Sequence, residues 1–399
     1  MSSRFFYYMF VAFSLIELFE RSSFPLPLGT YVYAMFLYYW LIQIFIYIRK
    51  NYDYISFNYN GNKIIACNVV CSFIMILRGL YHSDNYWQYK DVLLSNGPSL
   101  FFFLAIYLST EIKFCSRCLS YIIKYYLLAS VLLISDPRLA NTGRIMCNTL
   151  PLLGYFINKY KWYILIFTLY SLTLTWESRG WVLRALFGLA IGLCYIFFQR
   201  KISRLNKKII GIVFSLFLLT PLLCSYLGYI GVFNVFDMES YMDNSSMSED
   251  DLVDTRSFLY LLVQEKLEAS ESVVGGAGLA VSYWDDVNTE SNVSEIQKLG
   301  RTATESGLLN VYFWGGIIGA FLYSMIYWMA AYYGIFRSNN DFCKLIGLFI
   351  IFRWVISFVD EPNGWVCSNI MLYFFMGICL NKEIRNCDDK FMQSYLKIE

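Results

Sequence analysis

Histidine and charge are both scarce in this chain of 399 residues. The only histidine is His82, which excludes a histidine-rich metal site, and charged residues make up 16% of the sequence. A soluble domain of comparable size would carry roughly 25% charge. The formal net charge of +2 gives no indication of nucleic-acid binding.

Cysteine is missing from the one long polar segment, residues 232–306, so no disulfide framework is predicted there. Most of the eleven cysteines fall inside apolar runs, where they act as small hydrophobic residues. Cys115 and Cys118 form a single CxxC motif without a second pair at zinc spacing. We therefore expect neither a metal nor a cofactor.

Long apolar runs are what the chain has instead, and 57% of its residues are hydrophobic. They predict an all-α polytopic membrane protein with about 12 transmembrane helices, within a range of ten to twelve. Four runs are short for a straight span, which leaves the lower count open. The predicted spans are 5–19, 26–48, 64–80, 92–110, 121–135, 145–158, 162–176, 181–198, 209–231, 307–334, 345–359 and 365–381.

The distribution of lysine and arginine predicts the orientation of these spans. With the N-terminus inside, 20 of the 32 basic residues fall in Arg4, the inner links and the tail. By the positive-inside rule, both termini are cytoplasmic and the long loop is periplasmic. The predicted organisation is therefore N-terminal transmembrane helices in 1–231, a large periplasmic loop in 232–306, and C-terminal transmembrane helices with a cytoplasmic tail in 307–399.

Arginine dominates among the basic residues outside the inner links. Nine of these twelve positions are arginine, and Arg78, Arg184 and Arg353 fall inside predicted spans. Arginine is favoured where a planar fork holds phosphate or carboxylate through two hydrogen bonds. The alternative is that some of them pair with acidic residues such as Glu177, Asp360 or Glu361.

The long loop carries three features that indicate function. Residues 254–263 predict a short amphipathic helix, capped by Asp254 or Thr255, with Arg256 at its positive dipole end. Alternatively, Arg256 pairs with neighbouring aspartates. The cluster Gly275–Gly278 permits close backbone approach, although a plain turn also explains it. Glu305 is placed at the membrane edge as either a general base or a helix cap.

The order of these motifs resembles the bacterial O-antigen polymerase (Wzy) and ligase superfamily across roughly residues 136–335. The resemblance follows RLANTGRIMCNTLP at 138–151, Ser178-Arg179-Gly180, an arginine-led loop helix running into Gly276–Gly278, and then Leu308-Leu309-Asn310 and GGIIG at 315–319. The resemblance implies a metal-independent glycosyltransferase of the bacterial inner membrane. Its donor is a glycan on undecaprenyl pyrophosphate, and its partners are membrane lipid and a chain-length regulator of the Wzz type.

The resemblance also implies roles for particular residues. Arg179 and Arg256 would bind the pyrophosphate, with Arg144 and Arg301 assisting, and Glu305 would act as the base. The ligases carry a histidine at the position of Glu305, which favours a polymerase over a ligase. The remaining alternatives are another lipid-linked glycan transferase of the same type, a flippase or other transporter, and a non-catalytic assembly partner. The spans show no internal repeat, which weakens the transporter.

Overall fold

The computed structural model describes residues 3–21, 30–110, 112–126, 149–153, 155, 161–174, 179–197, 215–216, 219, 255–283, 302–304, 306–358 and 367–395. These residues are mostly helical (84%), and no strand occurs among them. The helices are α1 (Ser3–Arg21), α2 (Thr30–Lys50), α3 (Tyr52–Asn58), α4 (Asn62–Tyr81), α5 (Tyr86–Thr110), α6 (Ile112–Tyr121), α7 (Lys161–Leu174), α8 (Arg179–Phe197), α9 (Thr255–Ala269), α10 (Gly307–Phe336), α11 (Asp341–Ile356), α12 (Cys367–Leu380), α13 (Lys382–Asn386) and α14 (Asp389–Tyr395).

The all-helical class is confirmed for the described part of the chain. Three of its helices, α4, α5 and α10, are long and apolar enough to cross a membrane. Shorter apolar helices occupy Arg4–Ile16, Val182–Phe197 and Cys367–Leu380. The count of about 12 spans and the periplasmic position of the loop stay predictions. The predicted span 209–231 lies outside the described residues except for three positions.

The connections between the helices collect at two opposite ends. At one end, the backbone N–H of Asn60 donates to the carbonyl of Leu380, and Asn339 donates to the carbonyl of Arg385. We call this the latch end. At the other end, Leu308 donates to the carbonyl of Ser357. Because residues of the predicted loop 232–306 also lie there, we call it the loop end.

Helix α5 is irregular in a way that its sequence explains. Residues Asp91–Asn96 form a wider π turn, which ends at Gly97 and Pro98. Proline has no N–H to donate, and a Cβ on Gly97 would lie only 2.2 Å from the carbonyl oxygen of Val92. The helix then tightens to a 3-10 form from Phe102 to Thr110. Such π turns occur frequently at functional sites.

Close helix packing forms the core behind both ends. Helix α12 is buried along its whole length, between α5, α10 and α11. A Cβ on Gly377 would lie 2.0 Å from the carbonyl oxygen of Ile106, so glycine lets α12 approach α5 directly. Gly334 and Gly347 allow similarly close contact between α10 and α11. Small residues at helix interfaces are typical of membrane packing, where backbone contact replaces the hydrophobic driving force.

A buried arginine joins three connections at the latch end. The Arg385 guanidinium donates to Asn60 Oδ1 (2.7 Å) and to the carbonyl of Arg337 (3.3 Å). It also lies over the ring of Tyr333, 4.6 Å from the ring centroid. Burial lowers the pKa of Arg385 from its ordinary value, and the pKa of an arginine starts so high that the charge is kept. Arg385 therefore ties α13 to the links before α4 and after α10.

At the same end, a tyrosine of α3 contacts α13 directly. The hydroxyl of Tyr54 donates to Glu383 Oε2 at 2.6 Å. Burial, together with the hydrogen bond to this carboxylate, raises the pKa of Tyr54 to about 12. The tyrosine consequently stays protonated at neutral pH and remains a donor.

We expect Arg385→Ala to lower the stability of the purified protein by roughly 2 kcal/mol, because part-buried acceptors on two connections lose their donor and the buried guanidinium leaves a cavity. The thermal midpoint of unfolding in detergent measures this. Lys382→Ala on the same helix is the matched control, since Lys382 is exposed and lies over Phe57 only as a surface contact. Equal midpoints for the two variants would show that Arg385 does not join the connections energetically.

Candidate functional site

The centre of the loop end is a break in helix α10. Gly316 has φ 63° and ψ −160°, which is outside the helical region, although the helix continues in both directions from it. A break of this kind leaves carbonyl groups and N–H groups without their intrahelical partners. In an apolar environment each unsatisfied group costs several kcal/mol, so the break requires other partners.

Those partners come from the loop segment that follows α9. We call Val273–Gly278 the inserted segment. The N–H groups of Ala277 and Gly278 donate to the carbonyls of Phe313 (2.8 Å) and Trp314 (3.2 Å). In the opposite direction, the N–H groups of Ile317 and Ile318 donate to the carbonyls of Val273 (3.0 Å) and Val274 (3.3 Å). The inserted segment thus supplies backbone partners on both sides of the break.

Glycine is required on both sides of this contact. A Cβ on Gly276 would lie 2.3 Å from the carbonyl oxygen of Trp314, and a Cβ on Gly316 would lie 2.3 Å from that of Val274. Both glycines also have positive φ. The prediction of close backbone approach at Gly275–Gly278 is confirmed, and the approach is to α10.

Arg78 fastens the inserted segment to the end of α4. Its Nη1 donates to the carbonyl of Gly275 at 3.0 Å, and its Nη2 donates to Ser272 Oγ at 3.2 Å. One residue further on, a Cβ on Gly79 would lie 3.0 Å from the Cβ of Leu279. Of the three arginines predicted inside spans, Arg78 therefore helps to hold the inserted segment in place.

Helix α9 confirms the predicted amphipathic helix and packs one face against the bundle. Leu259, Val263 and Leu267, at four-residue spacing, are all buried. The hydroxyl of Tyr260 donates to the carbonyl of Phe358 at 2.7 Å and lies 3.3 Å from Ser306 Oγ. The rings of Tyr260 and Phe358 stack with centroids 4.6 Å apart. The contact of Tyr260 brings the start of α9 to the start of α10.

The start of α10 is held by its own polar residues. Ser306 is the N-cap, and its hydroxyl accepts from the N–H of Leu309 and donates to the carbonyl of Ser357 at 2.9 Å. The Asn310 side chain accepts from Thr304 Oγ1 (2.8 Å) and donates to the carbonyl of Thr304 (2.9 Å). Since Ser306 occupies the cap position, capping of this helix does not require Glu305.

Two of the predicted site residues begin helices that reach the loop end. Arg256 lies in the first turn of α9, one turn before Tyr260. Arg179 is the first residue of α8. Helix α8 runs antiparallel to α11, because Phe187 stacks on Phe352 at 3.7 Å while Tyr195 bonds to Asp341 near the latch end.

The other three predicted residues, Arg144, Arg301 and Glu305, lie outside the described residues. The described residues Thr302 and Ser306, which follow Arg301 and Glu305 in the sequence, are bonded into the loop end. Because Tyr260 contacts Ser306, the first turns of α9 also lie there.

Two buried arginines lie in the helices beneath this region. Arg184 on α8 is 1% exposed, and Arg353 on α11 is 2% exposed. The Arg353 guanidinium lies 5.7 Å from the centroid of the Phe349 ring. Charged groups inside apolar helices cost at least ~2.5 kcal/mol each and usually mark function. The sequence signal for both was their position inside predicted spans.

Comparison of the chain with models of known protein families found no match, and comparison with curated proteins also found none. Among the residues that the structure describes, no group of three His, Cys, Asp or Glu side chains is arranged to hold a metal ion. The metal-independence of the protein stays a prediction.

We expect Gly276→Ala to destabilise the protein by about 3 kcal/mol, because its Cβ would meet a backbone carbonyl and its φ disfavours alanine. Gly275→Ala is the matched control, since its Cβ would meet only the Nη1 of Arg78, at 3.0 Å. Thermal unfolding in detergent compares the two. A Gly276→Ala protein as stable as Gly275→Ala would show that the inserted segment is not needed for the fold.

Proposed function

We propose that this chain is an O-antigen polymerase of the bacterial inner membrane. It transfers the growing glycan from undecaprenyl pyrophosphate onto the next lipid-linked repeat unit at the periplasmic face. The contact between Tyr260 and Ser306 carries this proposal, because it brings the helix turn with Arg256 beside the residue that follows Glu305. A cation for a pyrophosphate and a carboxylate for a proton are the two groups that this transfer needs.

In the proposed reaction, a sugar hydroxyl of the acceptor attacks the anomeric carbon of the donor. The new glycosidic bond forms while the bond between that carbon and the pyrophosphate oxygen breaks. The electron pair leaves with undecaprenyl pyrophosphate, and Arg256, Arg179, Arg144 and Arg301 stabilise the charge that develops on it. The hydroxyl proton passes to the Glu305 carboxylate. The reaction consumes no further reactant.

The polyprenyl tail of the donor requires an apolar surface, and the outward faces of two helices provide one. Exposed apolar side chains cover the outward faces of α4 and α10, among them Leu77 and Phe321. Such faces accommodate polyprenyl and lipid chains without an aqueous pocket. The polar chemistry is then assigned to the loop end, where α9 meets the start of α10.

Ligation is the nearest alternative, since a ligase would use the same donor and a different acceptor. The presence of Glu305 in place of the ligase histidine favours the polymerase. A chain-length regulator of the Wzz type remains an expected partner on the basis of the resemblance alone.

Transport is favoured by one structural observation, the interrupted helix α10. Transporters use interrupted helices because the freed backbone groups coordinate a substrate or ion. In α10, the carbonyls of Phe313 and Trp314 and the N–H groups of Ile317 and Ile318 are bonded to the inserted segment. Because these groups are already engaged, we favour a fixed scaffold for catalysis over a transport site.

Deletion of the gene in its host is expected to replace the lipopolysaccharide ladder by core with a single repeat unit. A gel of the lipopolysaccharide, with a plasmid copy of the gene as control, makes the measurement. Bare core without any repeat would contradict the polymerase and indicate the ligase or the flippase.

Arg256→Lys is expected to abolish most chain extension on the same gel, because a point charge does not replace the two parallel hydrogen bonds of a guanidinium. Lys266→Ala, in the last turn of the same helix, is the control and should keep the ladder. Western blots must show equal amounts of both proteins. Full-length polymer from Arg256→Lys would remove Arg256 from the site.

A further inference from the structure

A carboxylate on α5 contacts the segment that joins the long loop to α10. Asp91 Oδ2 accepts a hydrogen bond from Thr302 Oγ1 at 2.6 Å. The same oxygen accepts from Asn96 Nδ2 at 2.8 Å. Asp91 begins the π turn of α5, which also contains Asn96, so the wider turn brings both side chains to the same place.

The rest of this segment is bonded to other elements. The indole N–H of Trp314 donates to the carbonyl of Thr302 at 2.9 Å. The hydroxyl of Tyr283 donates to the carbonyl of Ala303 at 3.5 Å. Thr304 is bonded to Asn310, as described above. Each residue from Thr302 to Thr304 is thus held by α5, α10 or Tyr283, and we call these three residues the clasped segment.

The clasped segment lies between two residues of the proposed site in the sequence. Arg301 precedes it directly, and Glu305 follows it directly. A reacting group must be held within about 0.5 Å of its working position, and neighbouring bonds achieve this. The hydroxyl of Thr302 is the only side-chain group of the clasped segment that bonds to α5 among the described contacts.

Asp91 lies one turn inside α5, and Asn85 caps the start of that helix. A carboxylate beside an apolar run costs free energy, and this cost falls as the carboxylate accepts hydrogen bonds. The position of this charge is therefore explained best by the segment that it holds.

We infer that Asp91 is a positioning residue for the proposed glycosyl transfer and acts through Thr302 on the clasped segment, which lies between Arg301 and Glu305 in the sequence. This inference rests on the proposed function. It predicts that loss of the Asp91–Thr302 bond lowers turnover while binding of the lipid-linked donor is kept. It also predicts that losing Asp91, losing the Thr302 hydroxyl, or losing both lowers turnover by the same amount.

The first test compares Thr302→Val, which keeps the shape and loses the hydroxyl, with Thr302→Ser, which keeps the hydroxyl. Purified protein in nanodiscs is assayed with lipid-linked repeat units extracted from the deletion strain. We expect kcat of Thr302→Val to fall about tenfold with KM changed less than about twofold, because small misplacement of reacting groups slows chemistry strongly. Thr302→Ser should recover most of the rate.

The second test is a double-mutant cycle with Asp91→Leu. Asp91→Leu should match Thr302→Val, and the double variant should be no slower than either single variant. Ser83→Ala is the control, since Ser83 is a buried hydroxyl near the end of α4 that bonds only to the carbonyl of Gly79 in the described contacts. Wild-type kcat for Thr302→Val, or effects that multiply in the double variant, would overturn the inference.

A third measurement separates this inference from the proposed function. A spin label on Ala303→Cys reports the mobility of the clasped segment, because Ala303 is exposed. The labelled chain without this substitution supplies the background from native cysteines. Thr302→Val should mobilise the label and Thr302→Ser should not. If wild-type protein made no polymer, the proposed function would fail, while unchanged label mobility would overturn the positioning role of Asp91 independently.

Discussion

The backbone pairing between the inserted segment and the break in α10 is the interaction on which the loop end depends. A helix interrupted at Gly316 in an apolar bundle would leave carbonyls and N–H groups without partners, at a cost of several kcal/mol each. Val273–Gly278 supplies those partners. Helix α10 and the inserted segment therefore stabilise each other, and the position of this segment is set by its contact with the bundle.

This constraint accounts for the residues around it. Close approach requires Gly276 and Gly316, and the end of α4 must come near enough for Arg78 to reach Gly275. Once the inserted segment is fixed, α9 before it and the clasped segment after it have little freedom, because each is bonded to α10 as well. One backbone contact thus orders two stretches of chain that are separated by residues 284–301. This backbone contact therefore keeps the polar groups of the loop end close together.

Much of the helical framework was predictable from the apolar runs. The polar and backbone contacts between the helices were not. Helices α4 and α10 extend two residues or fewer beyond the predicted spans 64–80 and 307–334, because charged or glycine-rich residues mark their ends. Helix α5 begins at Tyr86, six residues before the predicted span, since Asn85 caps a polar first turn that hydropathy alone does not register.

The pairing of two glycine clusters about 40 residues apart in sequence has no periodic signature. Asp91 was missed for the same reason, because a single carboxylate at the edge of an apolar run does not reveal its distant partner. The roles of Arg179, Arg256, Arg144, Arg301 and Glu305 stay predictions.

Backbone hydrogen bonds and an arginine join the elements at each end of the bundle, and this bears on mechanism. At the latch end, Arg385 joins neighbouring links through neutral acceptors and an aromatic ring. At the loop end, Arg78 holds the inserted segment, and backbone bonds together with Tyr260 and Ser306 join α9, α10 and α11. A carrier that alternates between two states needs contacts that exchange easily at one end. An enzyme that stabilises a leaving pyrophosphate needs charges held in place before the reaction begins. The described contacts hold one arrangement at both ends, which agrees better with the proposed glycosyl transfer than with the alternative of transport.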